Sequence, residues 1–220
     1  MNVLSSERRD KIYFGYAESC KTTNEIEEFN MANEVVEYLS RYMFLSDELT
    51  KVIEENIEIK RFKKGTVLLK EGGQSKECYL IFKGCIRSYL IKDGDERTTE
   101  IYTEEQSVTP VCYGQKTPSE YYLECIEDTV AAIGSYELEI DVFSKFPQLE
   151  SACRVMVEKM MANSQTLFSD FKITSPEERY LKLLKDRPYL IQRVPQYQLA
   201  SYLGIKPESL SRIRKRLTKK

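Results

Sequence analysis

The residues best placed to do chemistry lie near the end of the chain, between Gln196 and Leu217. On a helix that begins after Lys206, Glu208 and Arg212 project one turn apart from the N-terminal half. A glutamate can accept a hydrogen bond from cytosine N4, and an arginine can donate two to guanine. This pair, with Ser209 at the edge of the same face, therefore indicates contacts to base edges.

Basic side chains surround this face. From Lys206 to Lys220 there are seven lysines and arginines and one glutamate, although the whole chain has a net charge of −2. Four of them are candidates for contacts to DNA phosphates: Lys206, Lys215, Arg216 and Lys219. A charged helix face is often only solvated, so that alternative stays open, but the placement of the acid and the base favours DNA.

Two short helices joined by a glycine turn would position these residues. Ala200 is small where two helices cross closely, Gly204 permits a left-handed turn, and Pro195 and Pro207 each suit the first turn of a helix. The small apolar core beneath would consist of Leu199, Leu203, Ile205, Leu210 and Ile213. The spacing predicts a helix-turn-helix.

Several classes of chemistry are excluded by composition. The chain has no histidine, which removes Ser-His-Asp and Cys-His catalysis and every imidazole metal site. Its six cysteines are scattered, and no pair has the spacing of a zinc or iron–sulfur clip: Cys20, Cys78, Cys85, Cys112, Cys125 and Cys153. We expect no metal and, since no nucleophile or acid–base pair has a partner, no enzymatic activity.

The beginning of the chain and its hydropathy indicate a cytoplasmic protein without a membrane segment. The opening residues lack the apolar core of a signal peptide. The longest uncharged run, residues 194–205, spans 12 residues, whereas a membrane helix needs roughly 18 apolar ones.

Glycine placement predicts a β-rich centre. Seven of the nine glycines fall between residues 65 and 134, with short apolar or alternating runs between them. Such spacing is typical of a β-sandwich, and Asp93-Gly94 predicts a tight hairpin. We therefore expect antiparallel β structure over residues 61–137, preceded by a helical pattern from Asn33 to Glu55 that restarts at Ser46.

A long helix is predicted from Pro147. Its apolar positions alternate by three and four residues, as in a two-helix seam: Leu149, Cys153, Met156, Met160, Asn163, Leu167 and Phe171. The helix could instead pack on its own domain. We favour a homodimer seam, in which Asn163 would set the register. Ser175-Pro176-Glu177-Glu178 then marks the start of a new helix.

The predicted fold class is α+β: an antiparallel β-sandwich with flanking helices, a long dimerisation helix and a C-terminal all-α helix-turn-helix domain. The boundaries are 1–30 for a polar extension, 31–146 for the sandwich domain, 147–173 for the long helix and 174–220 for the helix-turn-helix domain.

This order of elements resembles the Crp/Fnr family of bacterial transcription regulators, over residues 33–220. The most specific motifs are Phe62-Lys63-Lys64-Gly65, Cys78-Tyr79-Leu80-Ile81-Phe82-Lys83-Gly84 and the segment from Leu203 to Arg212. The resemblance implies a cyclic-nucleotide-binding-like sandwich, a parallel dimer and a double-stranded DNA operator read by Glu208, Ser209 and Arg212. RNA polymerase is a further candidate partner of such a regulator.

The sequence departs from the cyclic-nucleotide version of this fold. Val108 and Pro118 take the positions of the family's ribose-binding glutamate and phosphate-binding arginine. A neighbouring Glu120 would repel a phosphate, so cyclic AMP is not the expected effector. The family's iron–sulfur sensors use N-terminal cysteines, of which only Cys20 is present, and its haem sensors use histidine. We expect neither cofactor.

An unknown small-molecule effector could still occupy the sandwich. The candidate pocket residues are Val108, Cys112, Tyr113, Pro118, Ser119, Tyr121 and Tyr122. The alternative is that they are core and rim residues of a pocket that has lost its ligand. For the chain as a whole, the competing hypothesis is a ligand-binding or protein-docking module that does not read DNA.

Overall fold

The computed structural model describes residues 33–218, so the polar extension over residues 1–30, Cys20 and Lys219 lie outside the described residues. The chain divides after Ile59 into two compact units. In the first, residues 33–40 form helix α1 and Asp47–Asn56 form α2. The hydroxyl of Ser46 accepts from the backbone N–H of Leu49, so α2 restarts at the predicted N-cap.

Two four-stranded sheets form the predicted sandwich. Their orders are β1-β8-β3-β6 and β2-β7-β4-β5. The strands are β1 (Glu58–Phe62), β2 (Val67–Leu69), β3 (Glu77–Lys83), β4 (Ile86–Lys92), β5 (Asp95–Tyr102), β6 (Ser107–Val108), β7 (Tyr122–Cys125) and β8 (Thr129–Ser135). The antiparallel β prediction is confirmed, although β6, β7 and the beginning of β1 were not distinguished in the sequence.

The predicted hairpin joins β4 to β5. Lys92 pairs with Asp95, and Asp93 and Gly94 between them have φ values of 55° and 81°. Two successive positive φ angles are the requirement of the tight hairpin turn that Asp-Gly favours.

Both sheets contribute side chains to the core between them. Alternate residues on each strand point inward, which is why the strands read as alternating patterns. The buried cluster contains Leu69, Tyr79, Ile81, Ile86, Val108, Cys112, Leu123, Cys125, Ala131 and Ile133.

Six helices follow the sandwich: α3 (Tyr136–Lys145), α4 (Pro147–Ile173), α5 (Pro176–Asp186), α6 (Leu190–Arg193), α7 (Gln196–Tyr202) and α8 (Pro207–Leu217). Helix α4 occupies the range predicted for the long helix. Helix α5 begins with a capping box in which Ser175 and Glu178 each bond the other's backbone N–H. Neither α3 nor the short α6 was predicted from the sequence.

The C-terminal helices share a core with the sandwich. Leu183, Leu190, Leu199 and Leu210 belong to a buried cluster that also contains sandwich residues. These are Cys85, Ile101 and Ile126. The segment predicted as a domain of its own from residue 174 is thus packed against the strands in the second compact unit.

Candidate nucleic-acid interface and effector region

Helices α7 and α8 form the helix-turn-helix, and Gly204 lies in the turn. Its φ of +69° is a conformation that residues with a side chain rarely adopt. A Cβ atom there would also lie 2.8 Å from the ring of Phe171, so both backbone conformation and packing require glycine. Leu199, Ala200 and Leu210 are fully buried beneath the turn, as the sequence predicts.

The outer face of α8 is exposed. Glu208, Ser209, Arg212 and Lys215 all lie on the surface, and Lys206 precedes the helix as its N-cap residue. Within residues 33–218, no hydrogen bond or ion pair engages the side chains of Glu208, Arg212 or Lys215. The structure therefore places Glu208, Ser209, Arg212 and Lys215 on the accessible surface of α8.

Arg216 differs from the other basic residues on α8, because its guanidinium forms an ion pair with Glu177 at the start of α5. A phosphate contact by Arg216 would have to share or replace that pair. Gln196, at the first position of α7, donates to the hydroxyl of Ser211 at 2.6 Å. This bond ties the beginning of α7 to the middle of α8.

Three of the seven candidate pocket residues lie in the sandwich core. Val108 and Cys112 are buried, and Tyr121 packs against the same cluster. The Tyr121 hydroxyl accepts from the backbone N–H of Val111 at 2.8 Å. Ser119 is buried beside them and donates to the carbonyl of Tyr121 at 2.8 Å, so its hydroxyl is already engaged.

The other three residues lie elsewhere. Tyr113 donates to Glu139 on α3 at 2.7 Å. Tyr122 stacks on Tyr89 with ring centroids 4.9 Å apart, on the sheet face opposite that of the core residue Leu123. Pro118 is exposed. The seven residues thus occupy core, partly buried and exposed positions.

The predicted seam residues on α4 run from buried to exposed. Leu149 is buried, Cys153 and Met156 are half-buried, and Met160, Asn163 and Leu167 are exposed. Burial raises the pKa of the Cys153 thiol to about 11. Further exposed apolar side chains flank the seam: Val157, Met161 and Phe168. The second half of α4 thus presents a strip of exposed apolar side chains.

Two arginines with structural roles were missed in the sequence. Arg179 on α5 donates to the carbonyls of Thr174 at 2.7 Å and Leu203 at 3.0 Å, and its guanidinium lies 4.3 Å from the Phe171 ring centroid. Arg193, at the end of α6, binds glutamates of the sandwich. From the sequence alone, an arginine in an amphipathic segment is expected to face solvent. No local pattern identifies the distant residues with which its guanidinium forms hydrogen bonds.

No helix within residues 33–218 is long and apolar enough to cross a membrane. In the same part of the chain, no group of three or more histidine, cysteine, aspartate or glutamate residues is arranged to hold a metal ion.

Comparison with known proteins finds a domain match and a sequence relative. Residues 59–138 match the cyclic nucleotide-binding domain family. The chain is 24% identical over 186 residues to the fumarate and nitrate reduction regulatory protein of Vibrio cholerae, covering 79% of this chain and 72% of the relative.

Solved structures share the fold. The c-di-GMP responsive global regulator CLP of Xanthomonas campestris is 19% identical, with a TM-score of 0.61 and coverage of 77% of this chain and 90% of that one. A regulator of the Crp/Fnr family from Eubacterium rectale is 17% identical, with a TM-score of 0.62 and coverage of 79% and 84%. All three of these proteins are named as regulators. Residues 59–138 thus have the cyclic nucleotide-binding domain fold, and the chain is similar to regulators of the Crp/Fnr type.

Proposed function

We propose that the chain is a homodimeric, sequence-specific DNA-binding regulator that reads a two-fold symmetric operator. The observation that carries the proposal is the exposed face of α8, where Glu208, Arg212 and Lys215 have no described intramolecular partner. Charged side chains without partners, on the second helix of a helix-turn-helix, are suited to contacts in the major groove.

The side chains on this face are suited to two kinds of DNA contact, with bases and with phosphates. Glu208 can accept from cytosine N4, and Arg212 can donate to guanine O6 and N7. Lys206 and Lys215 lie at the edges and can neutralise phosphates without distinguishing bases. Both kinds of contact are needed, because phosphate contacts fix the orientation in which base contacts are made.

The proposed dimer forms through α4. Its exposed apolar strip, from Val157 to Phe171, would be buried by the same strip of a second copy. Asn163 is exposed within the strip, and a pair of asparagines across a seam favours one register. A dimer places two α8 helices on one DNA duplex, as a symmetric operator requires.

We infer that cyclic AMP is not the effector. Lys116 is the single basic residue between Gln106 and Tyr122, and it is exposed, while the Ser119 hydroxyl is used by Tyr121. A buried cyclic phosphate would therefore lack a charged partner, which costs several kcal/mol. Calorimetry with cyclic AMP should give no measurable heat, and micromolar binding would contradict the inference. An uncharged small molecule stays the alternative effector.

The proposal is tested by selecting bound fragments from genomic DNA with the purified protein over a salt series. We expect enrichment of an inverted repeat, with affinity that falls as salt rises. Recovery of no preferred sequence would contradict DNA reading and favour a protein-docking role for the C-terminal helices.

A further inference from the structure

The first helix of the helix-turn-helix is bonded to an edge strand of the sandwich. The Ser201 hydroxyl on α7 accepts from the backbone N–H of Thr98 at 2.9 Å and donates to the carbonyl of Glu96 at 3.3 Å. Strand β5 is the last strand of its sheet, so these backbone groups face no further strand. Ser201 thus completes hydrogen bonding at that edge.

A second tie lies at the end of α6. The guanidinium of Arg193 donates to Glu104 at 2.7 Å, to Glu127 at 3.0 Å and to the carbonyl of Gly84 at 2.9 Å. All three acceptors belong to the sandwich and lie 66 to 109 residues away along the chain. The hydrogen bonds to Glu104 and Glu127 raise the pKa of Arg193. Burial opposes the ionisation of Glu104, but the hydrogen bond from Arg193 outweighs it and lowers the pKa of Glu104, so Arg193 and Glu104 are both charged near neutral pH.

The ties enclose an apolar contact. Cys85, Ile101 and Ile126 of the sandwich pack in the same cluster as Leu190 and Leu199 of the C-terminal helices. Nearby, the side chain of Arg87 is only 3% exposed and binds Glu96 and Glu124, the first of which also accepts from Ser201. The interface between the sandwich and the C-terminal helices therefore combines a buried apolar cluster with several hydrogen bonds.

The turn of the helix-turn-helix is also tied to the long helix. Arg179 bonds the carbonyl of Leu203 in the turn and that of Phe171 at the end of α4. Contacts to both the sandwich and α4 leave helices α7 and α8, called the reading head below, little freedom to rotate about the link at residues 174–175.

From these contacts we propose that Arg193 and Ser201 are positioning residues that set the spacing between the two half-sites of the operator. The proposal rests on the dimeric DNA-binding function above. Neither residue reads DNA itself: each fixes the direction in which its α8 faces relative to the dimer axis along α4.

The geometry of DNA makes spacing sensitive to such a constraint. Inserting one base pair moves a half-site by about 3.4 Å and rotates it by roughly 35° about the duplex axis. A reading head that can rotate would adjust to this change. A reading head that is bonded to both the sandwich and α4 could adjust only by straining those contacts or by twisting the DNA. We therefore expect a dimer with rigidly held reading heads to bind one half-site spacing, and a dimer with mobile reading heads to bind several.

The test compares duplexes that carry the selected inverted repeat at its preferred spacing and with one base pair added or removed. Wild type should bind the altered spacings at least roughly tenfold more weakly, whereas Arg193→Gln and Ser201→Ala should lose less than about threefold. Affinity for a single half-site and its base preference should be unchanged in both. Arg193→Lys, which keeps the charge, should restore part of the spacing preference.

Arg97→Gln is the matched control, because Arg97 is exposed and bonds Asp95 in the hairpin. It should behave as wild type. Arg193→Gln leaves Glu104 and Glu127 without their arginine partner and could destabilise the fold. Ser201→Ala leaves no charge unpaired, so it tests the spacing preference independently of that effect. If folded Ser201→Ala shows the same spacing preference as wild type, the proposal is overturned. Tighter binding to the operator with an unchanged spacing preference would also overturn it, because the Ser201 contact would then be inhibitory. Failure of wild type to select any repeat would instead count against the proposed function.

Discussion

Side chains that share one face of α8 differ in the contacts available to them. Glu208 and Arg212 project from its N-terminal half, whereas Lys215 lies one turn later and Lys206 lies before the helix. In the proposed complex with DNA, the first pair would contact base edges and the lysines would contact phosphates. Substitutions in the two groups should therefore have different effects on sequence preference.

Replacing Glu208 or Arg212 with alanine should cost about 1 to 3 kcal/mol on the selected operator and relax preference at one or two base pairs. Lys215→Ala should weaken binding to all sequences about equally and reduce the salt slope by about one unit. Selection from random DNA by the three variants measures the change in base preference, and binding over a salt series measures the change in affinity and in salt slope. Unchanged preference in Glu208→Ala would mean that the recognition face is misassigned.

Residues whose roles depend on near neighbours could be predicted from the sequence. Ser46 and Ser175 are N-caps, and Gly94 and Gly204 adopt positive φ, because caps and turns are determined within four or five residues. Arg193 could not be predicted. Its partners lie up to 109 residues away, and a charged side chain carries no mark of the carboxylate that it will meet.

At the scale of elements, length determined what could be predicted. Helix α4 runs for 27 residues and shows several turns of its pattern, so its bounds were clear. Strand β6 has two residues and α6 has four, too few to display any period. The four-residue strand β7 was not delimited for the same reason, and the alternation of side chains along it places Tyr122 outside the core.

The capping box of α5 makes a prediction about stability. Ser175→Ala removes the bond to the backbone N–H of Glu178 and should lower the free energy of unfolding by about 1 kcal/mol in urea titration. Ser144→Ala is the control, because that exposed hydroxyl bonds only a carbonyl in its own helix. Equal effects in the two variants would contradict a specific role for the cap.

The same box should depend on pH. The Ser175 backbone N–H holds the pKa of Glu178 below its usual value of 4.5. Because the folded pKa is lowered, the stabilisation is present above the unfolded pKa and is lost as the pH falls through the folded one. Glu178→Gln should therefore flatten the acid side of the stability curve, measured by urea titration at several pH values. A curve that keeps its full acid slope would exclude this contribution.

The arrangement of the whole molecule was the hardest part to predict. Sequence patterns identified the sandwich, the long helix and the helix-turn-helix but not that Cys85, Ile101 and Ile126 would join the core of the C-terminal helices. Ile101 lies in β5, and Cys85 and Ile126 lie next to strands, so local patterns assign all three to the sandwich alone. Packing between elements far apart in the chain depends on the completed fold, and local periodicity does not report it.

The dimer through α4 is the prediction at this scale. Leu167 is 47% exposed on the apolar strip, and Leu167→Glu would place two carboxylates opposite each other in the seam. We expect wild type to sediment as a dimer at micromolar concentration, with reductant present because Cys153 lies on the seam, and Leu167→Glu as a folded monomer. Losing the second head should reduce operator affinity by roughly 100-fold, to that of a single half-site. Ser169→Glu, on the opposite side of α4, should stay dimeric. A monomeric wild type, both free and bound to DNA, would refute the seam.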